Sequence, residues 1–199
     1  MKYIPSIVKY SRDDINATYV NSSGNITISQ RNTPRLDYSP STLSCSGLLV
    51  EDISTNFILY SSEFQNSAWI KSGTGSISNN SQISPMGISN GSLITNTSGY
   101  SLYQDIADIG TQETTNSVFL KAGTCSSITV SNIKMPSGQI SSVVFNLSNG
   151  TITSGLGGKI KSYANGWYRC SVKFAGSNGT DTVCRLSISG NSVGNFSAF

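Results

Sequence analysis

The chain has no histidine, only ten aspartates and glutamates among 199 residues, and no apolar run long enough to cross a bilayer. Each absence closes a class of function. Without imidazole there is no Ser-His-Asp triad and no Cys/His zinc site. A glycoside hydrolase needs two carboxylates facing one cleft, and the acids here are scattered. Glu51 and Asp52 are adjacent, so a strand would point them to opposite faces. Asp105 and Asp108 follow a strand as turn-capping residues do, a reading preferred over hard-cation ligands. The expectation is a protein without enzymatic activity, metal or cofactor. Met1–Pro5 opens like a secretory leader, but Ser6, Lys9, Ser11 and Arg12 interrupt any apolar continuation, so the chain reads as cytosolic when made, with no membrane insertion. Cys45, Cys125, Cys170 and Cys184 are widely spaced and form no C-x-x-C pair, and a cytosolic origin favours small buried hydrophobes over disulfides. Cys170 and Cys184 read as lying on neighbouring strands, with Cys170 opposite a position near Ser187.

Charge is also sparse, at 12% of residues, and the net value is +3. Residues 1–35 hold Lys2, Lys9, Arg12, Arg31 and Arg35 against Asp13 and Asp14, whereas from residue 36 onward eight basic and eight acidic side chains cancel. This places the basic excess on an amino-terminal arm, expected to dock on a partner surface or to be simply solvated. A neutral body lacks the footprint that nucleic-acid binding requires, so no nucleic acid is expected.

What the chain does contain is Ser, Asn, Thr and Gly in quantity, the residues of turns and exposed strands. The clearest local pattern is Asn165–Phe174, where a turn dipeptide feeds an aromatic and β-branched alternation. Its phase assigns Tyr168, Cys170, Val172 and Phe174 to the core and Trp167, Arg169, Ser171 and Lys173 to the opposite face. Ser117–Lys121, Val143–Leu147 and Thr182–Ile188 read as further strands, as do Gly47–Val50, Asn56–Tyr60, Ser92–Asn96 and Tyr100–Ile106. Ala17–Val20 and Asn25–Ile28 flank Asn21–Gly24 as a short hairpin. Asn32–Pro40, with two prolines, should run extended without joining a sheet centre. Glu63–Trp69 reads as one helical turn plugging the core with Phe64 and Trp69, and Gly73–Asn90 as loops with one or two edge strands. Thr151–Gly158 reads as flexible. The predicted fold is all-β: an antiparallel jelly-roll β-sandwich over 47–199, preceded by an extended N-terminal arm over 1–46 that contains a short hairpin.

The order of several phrases resembles bacteriophage virion proteins, namely tail-fibre, head-fibre and minor structural proteins with a jelly-roll domain similar to carbohydrate-binding modules. The phrases are Ala17–Val20, Pro34–Tyr38, Gly47–Asp52 with Thr55-Asn56, Leu59–Phe64 with Trp69, Val118–Thr124, Phe145–Leu147 and Asn165–Arg169. The resemblance implies a virion protein assembled in the host cytoplasm. Its partners would be other virion proteins, further copies of itself (a trimer in a fibre) and a host-surface glycan. The alternatives are a purely architectural decoration or fibre-base protein, and a stand-alone carbohydrate-binding module. Two departures stand out. Ser54 occupies the position where members carry arginine before Thr-Asn, and Asn195–Phe199 lacks the final aromatic and Gly-containing strand, so the resemblance implies either that the chain is an amino-terminal portion of a longer protein or that another subunit supplies the missing edge. Within such a sandwich the glycan-contact candidates are Trp69, Tyr100, Tyr103 and Gln104, with Tyr168 beside them. Interface candidates are Trp167, Arg169 and Lys173, with Trp167 favoured as a plug or subunit contact. The attachment arm would use Lys2, Lys9, Arg12, Arg31 and Arg35.

Overall fold

Short polar hairpins cannot build a core, whereas long alternating strands can, and the chain divides on that line. The structure, a computed structural model, describes residues 10–13, 17–51, 55–107, 110–174, 176 and 179–199. It forms two compact units, Met1–Ser54 and Thr55–Phe199.

In the first unit β1 (Thr18–Val20) pairs with β2 (Ile26–Ile28) as the sequence indicates. The Asn21 carboxamide closes the turn by accepting the Ser23 and Asn25 amides at 2.9 and 3.1 Å. A second hairpin was not expected. β3 (Leu36–Tyr38) pairs with β4 (Cys45–Leu48), so the proline-flanked stretch joins a ladder after all. Gly47–Val50, expected to open the sandwich, therefore belongs partly to this hairpin, and the boundary falls after residue 54 rather than 46. Its apolar run misled because Leu48 and Val50 are exposed. Arg35 is 6% exposed and sits inside the unit, donating to the Thr18 carbonyl at 2.8 Å and to Glu51 at 2.7 Å. The new boundary also redistributes charge. The first unit holds five basic and five acidic residues, the second eight basic and five acidic, so the basic excess belongs to the sandwich.

The second unit is built on a long hairpin, β5 (Ile70–Ile83) with β6 (Ser89–Ala107). One edge of β6 serves two partners. Its end, Ser101–Ala107, pairs with β13 (Val183–Gly190), and its start, Ser92–Asn96, pairs with β14 (Gly194–Ala198). Between them the hairpin turns a corner at Gly73 and Gly99, both at positive φ, where a Cβ on Gly73 would strike the Gly99 carbonyl. Sheet one continues from β13 to β8 (Ser127–Met135), β9 (Ile140–Asn146) and β10 (Thr151–Ser154). Sheet two continues from β14 to β7 (Thr114–Ala122), β12 (Trp167–Phe174) and β11 (Gly158–Ser162). All pairings are antiparallel, and the chain crosses between the sheets from β7 to β8, from β10 to β11, from β12 to β13 and from β13 to β14, an antiparallel jelly-roll β-sandwich as the sequence predicts.

The inward phases of the strands fill the core: Ile94 and Leu102 of β6, Leu120 of β7, Ile128 and Val130 of β8, Val143 and Phe145 of β9, Cys170 and Val172 of β12, Ile188 of β13 and Phe196 of β14. Several expectations are corrected. Gly73–Asn90 is mostly the long strand β5, whose own side chains are largely exposed. It is held by the backbone ladder to β6 and so carried no apolar signal. Asn56–Tyr60 is not a strand, and Glu63–Trp69 is a series of turns, although Phe64 and Trp69 do plug the core with ring centroids 5.0 Å apart. Thr151–Gly158 contains β10. Cys170 and Cys184 lie on opposite sheets, and none of the four cysteines is in a disulfide. The final residues are not a gap: β14 is an internal strand between β6 and β7. The departure at Ser54 lies outside the described residues.

Candidate functional site

Along the inward face of β8 the residues run Ile128, Val130, Asn132, Lys134, and along β6 they run Leu102, Gln104, Ile106. Polar side chains thus interrupt the apolar ones toward one end of the sandwich, and the sheets do not seal there. A cleft of about 140 Å³ opens between them. Sheet one contributes Ile106, Asn132, Cys184 and Leu186, β7 contributes Thr114–Ser117, and the segment Thr55–Ile58 lies across the mouth. Two amide arrangements shape it. The Asn116 carboxamide donates to Asn132 Oδ1 at 3.3 Å, linking the sheets across the floor. Gln104 grips the backbone of Leu59, donating to its carbonyl at 2.6 Å and accepting its amide at 3.2 Å, which fixes the mouth segment. Asn56 Oδ1 accepts the Ile58 amide at 3.0 Å and sets the local turn, leaving Phe57 47% exposed. The lining holds no carboxylate and no ammonium. Its polar groups are hydroxyls and amides, which recognise neutral ligands by hydrogen bonding and supply neither acid nor base.

Below the cleft Lys134 is 1% exposed, with its ammonium 5.1 Å from the Phe174 ring centroid. Asp181 caps the neighbouring turn, accepting the Ser137 amide and hydroxyl at 2.8 and 2.9 Å. Burial pushes the Cys170 thiol up to about 12, so it is a packed neutral group and not a nucleophile. Among the described residues no group of three or more metal-ligating side chains gathers.

The residues proposed from sequence fall differently. Trp69 and Tyr100 are buried core groups, Trp69 donating through Nε1 to the Tyr60 carbonyl at 3.0 Å, and neither presents a sugar platform. Gln104 is buried and acts by positioning the mouth of the cleft. Tyr103 lies on the outer face of sheet one beneath the Arg185 guanidinium, 4.1 Å from the ring centroid. Arg185 makes a two-pronged pair with Asp105 at 2.7 and 2.8 Å, and this bond holds the Asp105 carboxyl below its usual range. The four candidates therefore do not converge. Tyr168 is half-buried against the core. Trp167 is fully buried although it points away from the core, because the β5–β6 turn folds over it and accepts its Nε1–H at the Ile83 carbonyl, 2.9 Å away. It is a plug, not a free interface. Arg169 and Lys173 are exposed. Arg169 donates to Ser117 Oγ at 3.2 Å and Lys173 pairs with Glu113 at 2.8 Å. Of the arm residues, Lys2 and Lys9 lie outside the described residues, as does Asp108. Arg12 donates to the Ser29 and Gln30 carbonyls, Arg31 donates to the Asp13 carbonyl, and Arg35 is internal. The cleft itself was missed. Its readable signal was asparagine and lysine at the inward phase of β8.

No family model and no curated protein matches the chain. Among solved structures, a carbohydrate-binding module described in work on the promiscuous specificity of modules from the β-sandwich superfamily aligns at a TM-score of 0.47 and 12% identity, over 92% of this chain and 82% of its own. The enzymatically active domain of bacteriophage CBA120 tailspike protein 4 aligns at 0.46 and 14%, over 69% of this chain and 19% of the tailspike. The Clostridium thermocellum xylanase 10B fragment with its CBM22-1 and GH10 modules, complexed with xylohexaose, aligns at 0.43 and 20%, over 66% of this chain and 25% of its own. What those proteins bind or cleave is a property of those proteins.

Proposed function

We propose that this chain is a non-enzymatic, carbohydrate-binding component of a phage particle, with the second unit holding a glycan residue in the cleft and the first unit attaching to the particle. The observation that carries the binding role is the cleft lining. Hydroxyls and amides from Asn56, Thr114, Thr115, Asn116 and Ser117, beside the half-exposed ring of Phe57, form a neutral surface with hydrogen-bonding groups and one stacking face. At about 140 Å³ it is close to the ~150 Å³ cavity that admits a benzene ring, the scale of a single six-membered ring. Weak single-site contact of this kind gains avidity through repeated copies, which suits a homo-oligomer at a host surface.

The attachment role is supported by the first unit's poor core. Among its described residues Val20 is the buried apolar side chain, while Leu36, Leu43, Leu48 and Val50 are exposed, a pattern that calls for a protein partner. The placement on a virion rests on the ordered sequence phrases that resemble phage structural proteins. An architectural role without a ligand is the competing reading. Saccharide-array binding by the oligomeric full chain, compared with Phe57→Ala, tests the glycan role. Saccharide binding lost in Phe57→Ala at unchanged melting temperature supports it. No binding of any host-surface saccharide by the unaltered protein leaves the architectural role. Particles that incorporate a chain lacking residues 1–54 as well as the full chain would overturn the attachment role.

A further inference from the structure

The outward phase of sheet two forms a regular array, which meets the cleft only at Thr115 and Ser117. Register places its residues in rows across the strands. One row reads Lys159 of β11, Ser171 of β12 and Ser117 of β7. The next reads Lys161, Arg169, Phe119 and Phe199, the last two joined by reciprocal backbone bonds at 2.9 Å. The third reads Tyr163, Trp167, Lys121 and Ser197, with the Tyr163 amide donating to the Trp167 carbonyl at 2.8 Å. Lys173 lies two residues beyond Ser171, opposite Thr115. Neighbours in a row are about 5 Å apart and successive rows about 7 Å apart.

Three kinds of group alternate on this surface. Phe119 and Phe199, both half-buried, stand 6.2 Å apart and give a short apolar strip, with Phe119 edge-on at 5.0 Å to Tyr163, which is itself buried beneath them. Lys161 lies 5.7 Å from the Tyr163 centroid. Ser117, Ser171 and Thr115 place hydroxyls between the cations. Among the described residues Lys173 has Glu113 as an acidic partner, whereas Lys121, Lys159, Lys161 and Arg169 have none. The unit's excess charge is therefore concentrated on one face.

We propose that this face binds an acidic polysaccharide, one that carries carboxylate or sulfate groups along its chain. The aromatic strip meets the C–H faces of sugar rings, the serine and threonine hydroxyls meet ring hydroxyls, and the cations meet the acids. Nucleic acid fits less well: its binding is dominated by the number of phosphates neutralised, and this face offers only four unpaired cations among the described residues, spaced by hydroxyls that suit ring hydroxyls instead.

The test is affinity electrophoresis of the full chain through gels containing polyuronate, neutral dextran, or single-stranded DNA at matched charge, with anionic phospholipid vesicles in a parallel sedimentation assay. The unaltered protein should be retarded by polyuronate and not by dextran, with a log–log salt slope shallower than about −3 for four cations. The combined variant Lys159→Ser/Lys161→Ser/Arg169→Ser replaces exposed side chains and should weaken retardation by about tenfold or more, while Arg185→Ser on sheet one leaves it unchanged. Equal retardation of the triple variant and the unaltered protein overturns the proposal. So does absence of polyuronate binding, or tighter binding to DNA or vesicles. Arg169 bonds to Ser117 in the cleft lining, so the control is Lys159→Ser/Lys161→Ser, which alters no cleft residue: it should weaken polyuronate retardation and leave saccharide binding in the cleft unchanged, so failure of this face and failure of the cleft are distinguishable.

Discussion

The two outer faces of the sandwich are made by the same kind of strand and differ in how their polar groups are partnered. On sheet one, polar groups satisfy one another: Arg185 pairs with Asp105 over Tyr103, Ser131 and Ser187 share a 2.6 Å bond, and Thr129 donates to Asn191 at 2.7 Å. On sheet two, Lys121, Lys159, Lys161 and Arg169 lack acidic partners among the described residues, and the aromatic residues cluster between them. A face that closes on itself has little left for a ligand, while an open one retains its donors. Net charge over a sequence window cannot distinguish these cases, because cancellation along the chain is not cancellation in space.

The largest expected effect tests whether the faces are independent. Trp167 anchors the β5–β6 turn onto sheet two through its bond to Ile83, and the Ser84-Pro85-Met86-Gly87 turn is closed by the Gly87 amide to Ser84 carbonyl bond at 2.9 Å. Trp167→Ala removes a fully buried indole and should cost about 3–5 kcal/mol in urea unfolding. Hydrogen exchange should rise in residues 83–91 and 163–173 while 127–135 stays protected. An equal rise in both sheets would show that the faces do not behave separately.

Next in size is a pH effect confined to sheet two's inner side. Burial raises the Cys170 thiol from 9.0 to about 12, so the folded state keeps its proton after the unfolded chain has lost it. The stabilisation is complete below about pH 9 and is lost as pH rises toward about 12, at up to about 1.4 kcal/mol per pH unit. Cys170→Ala should flatten that part of the alkaline slope relative to the unaltered protein, read from urea midpoints at pH 9, 10 and 11. Parallel slopes would mean that the thiol is not shielded as its place in the core requires.

These contrasts also explain what the sequence disclosed. The bounds of β12 and its core residues Cys170, Val172 and Phe174 were legible because apolar side chains alternate there with polar ones. β5 was not, since a Ser, Asn and Gly strand takes its conformation from a partner's backbone. The outward phase of β12 was sorted correctly, yet Trp167 proved covered and Arg169 open, because coverage depends on a turn some eighty residues earlier in the chain. Tyr100 and Gln104 looked like ligand groups for the same reason: type is local, exposure is not. The array on sheet two needed the β11–β12–β7 register, which joins segments that single-sequence alternation cannot align.

The smallest expected effect bears most directly on the comparison. Asp105→Asn breaks the pair with Arg185 and gives sheet one an unpaired cation. Both side chains are about a third exposed, at 33% and 30%, so solvent screening limits the stability cost to below about 1 kcal/mol. The Asp105 carboxyl is lowered by its bond to Arg185, against a smaller opposing effect of burial. The pair therefore stabilises the fold above the ordinary value of 3.8 and is lost as pH falls below it, so the two proteins should converge in acid. In polyuronate gels the variant should gain only slight retardation, because one guanidinium over Tyr103 lacks the flanking lysines and serines of sheet two. If Asp105→Asn instead doubles retardation, the array contributes nothing beyond its unpaired charges, and the faces differ only in how many cations each leaves open.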